Sequence, residues 1–253
     1  KLHVPIAHRE AGLRSFNRAM PEEINRILTD HAADLLLAPT EVGAAHLADE
    51  GLAERTVVVG DVMTDILFSV RDSVIDTPSP VMTELDLPEG GYSLATIHRA
   101  ENTDDPERLR SIVESLAAVD HPVVLLAHPR LVAKCDEHGI TLGDSGNLRM
   151  HPPLAYPELV ASTLHARGVV TDSGGLQKEA FLLRAPCTTV RPQTEWVETV
   201  NLGWNVLVEP GQALVDAASR TRPTEPADAD AHPYGDGNAA ARVVQALTEH
   251  LPG

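Results

Sequence analysis

The sequence predicts an α/β protein of two doubly wound lobes, each built on a parallel sheet, with the N-terminal lobe incomplete. Three observations lead there. Short apolar runs alternate with helical patterns, the signature of a parallel sheet covered on both faces. The alternation comes in two series, separated by a stretch rich in Asp, Pro, Glu and Gly from about residue 70 to 90. Polar clusters fall just after the strand-like runs, where open α/β sheets bind their ligands.

Taken in order, Leu2 to Ala7 reads as a strand and His8 to Arg14 as the loop behind it. Lys1 is not an initiator Met and the strand begins at once, so a further part of the first lobe is expected before it. Pro21-Glu22-Glu23 opens a helix, with Pro at N1 and acids in the first turn. Leu35 to Ala38 is a buried strand, Thr40 caps a helix over Glu41 to Glu50, and Val57 to Gly60 is a third strand. In the second series, strands are expected at Tyr92–Ile97, Val123–Ala127, Gly168–Thr171, Cys187–Val190 and Val206–Val208. Helices are expected at Pro106–Val119, Pro157–Ala166, Leu176–Arg184 and Glu195–Leu202. Residues 221–237 read as irregular, and Asn238 to Leu251 as a closing amphipathic helix. The domain expectation is therefore 1–70 for the remaining part of the N-terminal lobe, 71–91 for a linker, 92–235 for the C-terminal lobe, and 236–253 for a helix packing back toward the first lobe.

Composition narrows the partners. The 253 residues are 43% hydrophobic and 23% charged, ordinary for a globular protein. The net charge of −17 argues against nucleic acid or an anionic membrane surface. No apolar run approaches the ~18 residues of a transmembrane helix. Cys135 and Cys187 form no CxxC pair and read as reduced, buried thiols of a cytoplasmic protein. The twelve histidines show neither HxxxH nor HExxH spacing, so no metal is expected. Neither GxGxxG nor GxxxxGK[ST] occurs, so neither a nicotinamide cofactor nor P-loop chemistry has support, and no cofactor is expected.

The stretch Thr171-Asp172-Ser173-Gly174-Gly175-Leu176-Gln177-Lys178-Glu179 carries the strongest local signal. It reads as strand, tight turn, helix. Gly174 and Gly175 let backbone N–H groups approach a ligand, and a helix N-terminus suits an anion. Ser173 can cap the helix or give its hydroxyl to a phosphate. Glu179, one turn on, suits a ribose diol. Glu10 and Glu22 can serve as general acid and base; equally, Glu22 can favour a helix N-terminus while Glu10 pairs with Arg14. His98 and Arg99 can neutralise a diphosphate or be ordinary strand-end residues, and His128 shares that ambiguity. Trp196 and Trp204 read as core.

Five motifs in this order resemble the non-hydrolysing UDP-N-acetylglucosamine 2-epimerases. They are His8-Arg9-Glu10-Ala11-Gly12-Leu13-Arg14, Pro21-Glu22-Glu23-Ile24-Asn25-Arg26, Thr96-Ile97-His98-Arg99-Ala100-Glu101-Asn102, the 171–179 stretch, and Thr194-Glu195-Trp196-Val197-Glu198. The resemblance implies two Rossmann-like lobes of the glycosyltransferase-B type. It implies a homodimeric isomerase of polysaccharide precursor biosynthesis acting on a UDP-sugar. By the same resemblance Glu10 and Glu22 are catalytic-site glutamates and His98 is the essential histidine near the diphosphate. Ser173, Gly174 and Gly175 form the diphosphate turn, Glu179 binds ribose, and Arg99 and His128 lie near a second, allosteric UDP-sugar position of some members. Trp196 stands where many members carry arginine and resembles a branch that includes epimerases of 2,3-diacetamido-glucuronic acid nucleotides. The family has a further half-lobe, on the order of 90 residues, before the position of Val4, so residues 1–253 alone are expected not to epimerise.

The implied reaction expels UDP from C1 as a carboxylate takes the C2 proton, leaving a 2-acetamidoglucal to which UDP re-adds. That interconverts UDP-GlcNAc and UDP-ManNAc. A glycosyltransferase of the same fold and a non-catalytic UDP-sugar binding protein are the other readings.

Overall fold

The computed structural model describes residues 4–220 and 232–250. It divides into two compact units. One holds the chain up to Ser69 and its closing part from 232; the other begins at Val70 and runs to 220.

The first unit carries a three-stranded parallel sheet in the order β1 (Ala7–Arg9), β2 (Leu35–Ala38), β3 (Thr56–Val58). The four residues of β2 are all buried, because the central strand is covered on both faces. Leu36 and Ala38 pack with Ala11, Leu47 and Leu52 on one side. Leu35 and Leu37 pack with Val59 and Ala246 on the other. Between the strands run α1 (Pro21–Ala32) and α2 (Glu41–Asp49); Thr40 caps α2 through its hydroxyl, which accepts from Gly43 N at 3.0 Å. The pairing begins at Ala7, later than the expected strand, and Val4 and Ile6 are exposed. Pro5 has no N–H to give a ladder, which shifts the paired segment toward its C-terminal end.

After β3 comes α3 (Val62–Val74). The helices that follow α3 belong to the second unit, until α12 (Ala239–His250) returns to the first. There Val243, Ala246 and Leu247 cover the leucine face of β2. The Asp65 carboxylate accepts from Ala239 N and Ala240 N at 3.0 and 2.7 Å, so a side chain of α3 caps α12. Most of the irregular stretch expected at 221–237, residues 221–231, and the far ends expected at Leu2 and Leu251 lie outside the described residues.

The second unit holds a six-stranded, all-parallel sheet. Its strands are β4 (Ser93–Thr96), β5 (Val123–Leu126), β6 (Leu148–His151), β7 (Gly168–Thr171), β8 (Cys187–Thr189) and β9 (Asn205–Leu207), in the spatial order β6-β5-β4-β7-β8-β9. The chain runs outward from β4 through β5 to β6, then returns to β7 on the other side of β4. The crevice between β4 and β7 is the topological switch point, the usual ligand position in such sheets. Nineteen buried side chains, among them Ile97, Leu109, Ile112, Leu125 and Val170, form the largest core cluster.

Several elements here escape a periodicity argument. Residues 71–91, expected as a linker, hold the end of α3 and α4 (Pro80–Leu85). Ser79 accepts from Met82 N at the start of α4, and Val81 is buried with Tyr92, Leu94 and Val124. The Ser-Pro start is a helix signal that the local density of Pro and Asp conceals. β6 is an edge strand with only its two end residues buried, so no apolar run marks it. α11 (Gln212–Ala218) is short.

Candidate functional site

The switch point is built around one carboxylate. β4 and β7 are in register at Thr96 and Thr171, whose hydroxyls meet at 2.6 Å. The next residue, Asp172, is 0% exposed. Its carboxylate accepts from His98 N at 3.0 Å, Arg99 N at 2.9 Å and Asn102 Nδ2 at 3.1 Å, and His98 Nδ1 lies 3.2 Å away. Asn102, on α5 (Ala100–Thr103), also donates to Val190 O. The loop after β4 is thereby fastened to the end of β7.

On the other side of the crevice α9 (Gly174–Leu182) begins. Ser173 takes the N-cap position with an extended backbone, but its side chain makes no capping hydrogen bond. Ser173 N donates to Thr171 Oγ1 at 2.9 Å. A Cβ added to Gly174 would lie 2.8 Å from Glu195 Oε1, and the end of that side chain would have to give way. A Cβ on Gly175 would meet no protein atom within 4 Å, so the open space there is available to a ligand.

A cavity of about 350 Å³ opens at this point. Thr96, His98, His128, Tyr156, Ser173, Gly175 and Glu179 supply its polar surface, and Leu126, Leu154, Leu159 and Leu176 much of its apolar wall. A concave, largely apolar site with a few convergent polar groups is the form small-ligand sites take. The His98 and His128 rings lie 5.5 Å apart. His128 is the N-cap of α7 (Pro129–Glu137), and its Nδ1 accepts from Arg130 N at 3.1 Å. Tyr156, at the start of α8 (Tyr156–Leu164), donates to Glu179 Oε1 at 3.0 Å. Burial first, and then the charge and hydrogen bond of Glu179, push the Tyr156 phenol above its ordinary value, so it remains a donor.

Of the residues singled out in the sequence, the cavity gathers His98, His128, Ser173, Gly175 and Glu179. Gly174 and Arg99 are not on its wall; Arg99 lies 4.0 Å from Glu101. Asp172, Thr96 and Tyr156 were passed over as site residues. Asp172 stood inside the quoted turn, but its partners are about 70 residues away in sequence and no spacing reveals them. Trp196 is buried with Lys178 Nζ 4.5 Å from its ring centroid, and Trp204 is buried against Phe181.

Glu10 and Glu22 belong to the first unit. Glu10 follows β1 at φ +61°, an uncommon conformation for a non-glycine residue and one found at functional sites. The pairing of Glu10 with Arg14 is not what forms: Arg14 engages Asp30 at 2.7 Å and both oxygens of Glu50 at 2.8 and 2.9 Å. Asp30, 0% exposed, also meets His8 Nδ1 at 2.6 Å and accepts from Gly12 N at 3.2 Å. Gly12 is fixed by contact, since a Cβ there would fall 2.1 Å from Gly43 O. Glu22 is exposed on the first turn of α1. Its neighbour Glu23 is buried and takes the structural bonds, accepting from Ser15 N and Phe16 N at 2.9 and 3.0 Å.

Among the described residues no group of three or more His, Cys, Asp or Glu is arranged to hold a metal ion, and no helix is long and apolar enough to cross a membrane. Both cysteines are buried and free; burial pushes the Cys187 thiol up to about 12.

A parallel α/β lobe with a switch-point cavity, a glycine turn at a helix N-terminus and a carboxylate one turn in belongs to the nucleotide-binding class. The particular family follows from comparison. The family model for UDP-N-acetylglucosamine 2-epimerase matches residues 1–248, and the chain belongs to that family. A UDP-2,3-diacetamido-2,3-dideoxy-D-glucuronate 2-epimerase of Pseudomonas aeruginosa is 45% identical over 257 residues, covering 98% of this chain and 69% of that protein. A UDP-N-acetylglucosamine 2-epimerase of Methanocaldococcus jannaschii is 36% identical, covering 98% and 70%. The crystal structure of the M. jannaschii UDP-GlcNAc 2-epimerase in complex with UDP-GlcNAc and UDP superposes with a TM-score of 0.83 at 35% identity, covering 97% of this chain and 69% of that one. The chain thus has the α/β fold, with parallel sheets, of the glycosyltransferase-B-like UDP-sugar 2-epimerases, which are isomerases.

Proposed function

We propose that this protein inverts C2 of a UDP-sugar, with the diphosphate held at the N-terminus of α9. The observation that carries the reading is the convergence of Ser173, Gly175, His98, His128 and Glu179 on one cavity at the switch point. The backbone N–H groups of Gly174 and Gly175 and the helix dipole suit the diphosphate. Glu179 suits the ribose hydroxyls, and Tyr156 holds its carboxylate in place. Glu10 and Glu22 supply carboxylates for the sugar: one takes the C2 proton as the C1–O bond breaks and its electron pair leaves with UDP. UDP then re-adds to the glycal with the opposite C2 configuration. His98 and the helix terminus stabilise the departing diphosphate.

The substrate is UDP-N-acetylglucosamine, interconverted with UDP-N-acetylmannosamine. A second reading has a specific observation behind it: the Pseudomonas relative at 45% identity is a UDP-2,3-diacetamido-2,3-dideoxy-D-glucuronate 2-epimerase. We further propose a cytoplasmic homodimer. The expected result is incorporation of deuterium at C2 when the full-length enzyme is incubated with a UDP-sugar in D₂O, with slow release of UDP and glycal. Comparing the two sugars chooses between the readings; epimer formed without C2 exchange rules out elimination.

A further inference from the structure

We propose that Asn102 is a positioning residue for the diphosphate end of the cavity, and that Arg108 holds its amide in the working orientation. The inference rests on the UDP-sugar reading of that cavity. Its basis is one buried side-chain amide whose two N–H groups and carbonyl oxygen are all engaged.

Asn102 is 1% exposed and does not line the cavity. Its Nδ2 donates to Asp172 Oδ2 at 3.1 Å and to Val190 O at 3.0 Å. Its Oδ1 accepts from Arg108 Nε at 2.8 Å. A side-chain amide has two N–H donors and one carbonyl oxygen, so these bonds use all three. Turning the amide over would set its oxygen against two acceptors and its N–H groups against a guanidinium. The orientation is therefore fixed. Arg108 stands on α6 (Pro106–Ala118) and also donates, through Nη1, to Glu209, which follows β9. The amide thus ties the end of β7, through Asp172, to the end of β8, through Val190, and both to the segment after β4 that carries it.

What this does for the cavity follows from Asp172. Its Oδ2 accepts from His98 N, Arg99 N and Asn102 Nδ2 together. The two backbone donors move with the loop, so they cannot by themselves say where the loop sits. Asn102 can, because its second N–H is spent on Val190 O, a backbone group of the sheet's next strand end. The amide also helps to offset a buried negative charge beside the place read as binding a diphosphate. His98 lines the cavity, so its placement against the ligand depends on a side chain that never touches the ligand. The task needs an amide: a carboxylate has no N–H and a hydroxyl has only one.

The test measures ligand binding by calorimetry and amide hydrogen exchange in the full-length enzyme. In Asn102→Ala, UDP and inorganic pyrophosphate are expected to bind about tenfold or more weakly, and uridine as in wild type. The His98 and Arg99 amides are expected to exchange about tenfold faster. Arg108→Lys keeps a positive charge for Glu209 but has no donor where Nε stands, so the same pattern is expected at about two- to fivefold. Asn102→Asp separates donor from shape. Its carboxyl faces Asp172 and Arg108, with His98 on the far side of Asp172. Ionised, it repels Asp172; protonated, it donates one bond again, and the neighbouring carboxylate raises the pH at which it takes up that proton. Its UDP deficit relative to wild type is therefore expected to narrow from about pH 8 to about pH 5, while that of Asn102→Ala stays constant. A folded Asn102→Ala with wild-type affinity for UDP overturns the proposal. So do equal losses for uridine and pyrophosphate, wild-type exchange at His98 and Arg99, or an Asn102→Asp deficit that acid does not narrow. If Asn102→Ala does not fold, Arg108→Lys is judged on the same affinities and exchange rates. Wild-type protein that binds no UDP counts against the UDP-sugar reading, whereas the exchange rates need no ligand and decide the positioning by themselves.

Discussion

The two units solve the same local problem with different electrostatics. In each, a histidine at the carboxyl end of the first described strand directs Nδ1 at a buried aspartate that also accepts backbone N–H from the following loop: His8 and Asp30 in one, His98 and Asp172 in the other. Asp30 has a buried cation beside it, Arg14, itself tied to Glu50. The contacts of Asp172 are N–H groups and the His98 ring, with no arginine or lysine among them. A cation-balanced carboxylate is anchored and hard to perturb. A carboxylate balanced by backbone and amide dipoles fixes the loop that carries His98, and His98 lines the cavity.

The largest test of this contrast is Asp30→Ala. It removes one of the two carboxylates beside the buried Arg14 guanidinium while the bonds to Glu50 remain, and taking one partner from a buried polar group costs about 1–3 kcal/mol. Chemical denaturation is expected to show a loss of that size, and a loss near zero would mean the network contributes no anchoring. Acid probes the same network without mutation. Burial opposes the charge of Asp30, but bonds from His8, Arg14 and Gly12 N, with the charge of Arg14, outweigh it and hold the carboxyl below its ordinary value. Glu50, bonded by Arg14, and Glu23, bonded by Ser15 and Phe16 N–H, are lowered as well. A folded value below the unfolded one gives stability present above the unfolded value and lost as pH falls through the folded one. The first unit is therefore expected to lose stability from about pH 4 downward, which a series of melts in acid measures.

These networks also mark how far the sequence could be read. Strand and helix alternation, the β2 leucine run and the Thr40 cap follow from local periodicity and propensity, and all appear. The α4 helix does not, because Pro and Asp around a Ser-Pro start look the same in a linker and in a helix N-terminus. Of the site, Ser173, Gly175 and Glu179 lie within about two helical turns, so the local pattern exposes them. Asp172 and Tyr156 act on partners about 70 and 23 residues away. Pairings of that kind exist only once the strand order is known. Glu23 was concealed by its neighbour: two adjacent acids at a helix start look alike until one is buried.

A middle-sized effect is expected at the glycine turn. Gly175 lines the cavity and an added side chain there meets no protein atom, so Gly175→Val should keep its melting temperature and fill ligand space. UDP affinity is expected to fall about tenfold or more, ~1.4 kcal/mol per decade, in calorimetric titration. Unchanged affinity in the folded variant would move the diphosphate away from the α9 terminus.

The smallest test concerns a neutral contact in the second unit. Tyr156 Oη donates to Glu179 Oε1, and the phenol keeps its proton because burial and the neighbouring carboxylate both oppose its ionisation. Tyr156→Phe removes one O–H and leaves the ring in place, so the fold should be unaffected. Glu179 then loses a bond of about 0.5–1.5 kcal/mol net, and if its carboxylate is held there for a ribose, UDP should bind about 2- to 12-fold more weakly. The choice of ligand sharpens the result. Uridine, which has the ribose and no phosphate, should lose the same factor as UDP, while inorganic pyrophosphate should lose nothing. A loss shared by pyrophosphate would mean that Tyr156 supports the α9 terminus as a whole and not the carboxylate one turn inside it. In that case the second unit would be anchored as diffusely as the first, and the contrast between the two would have to rest on Asp172 alone.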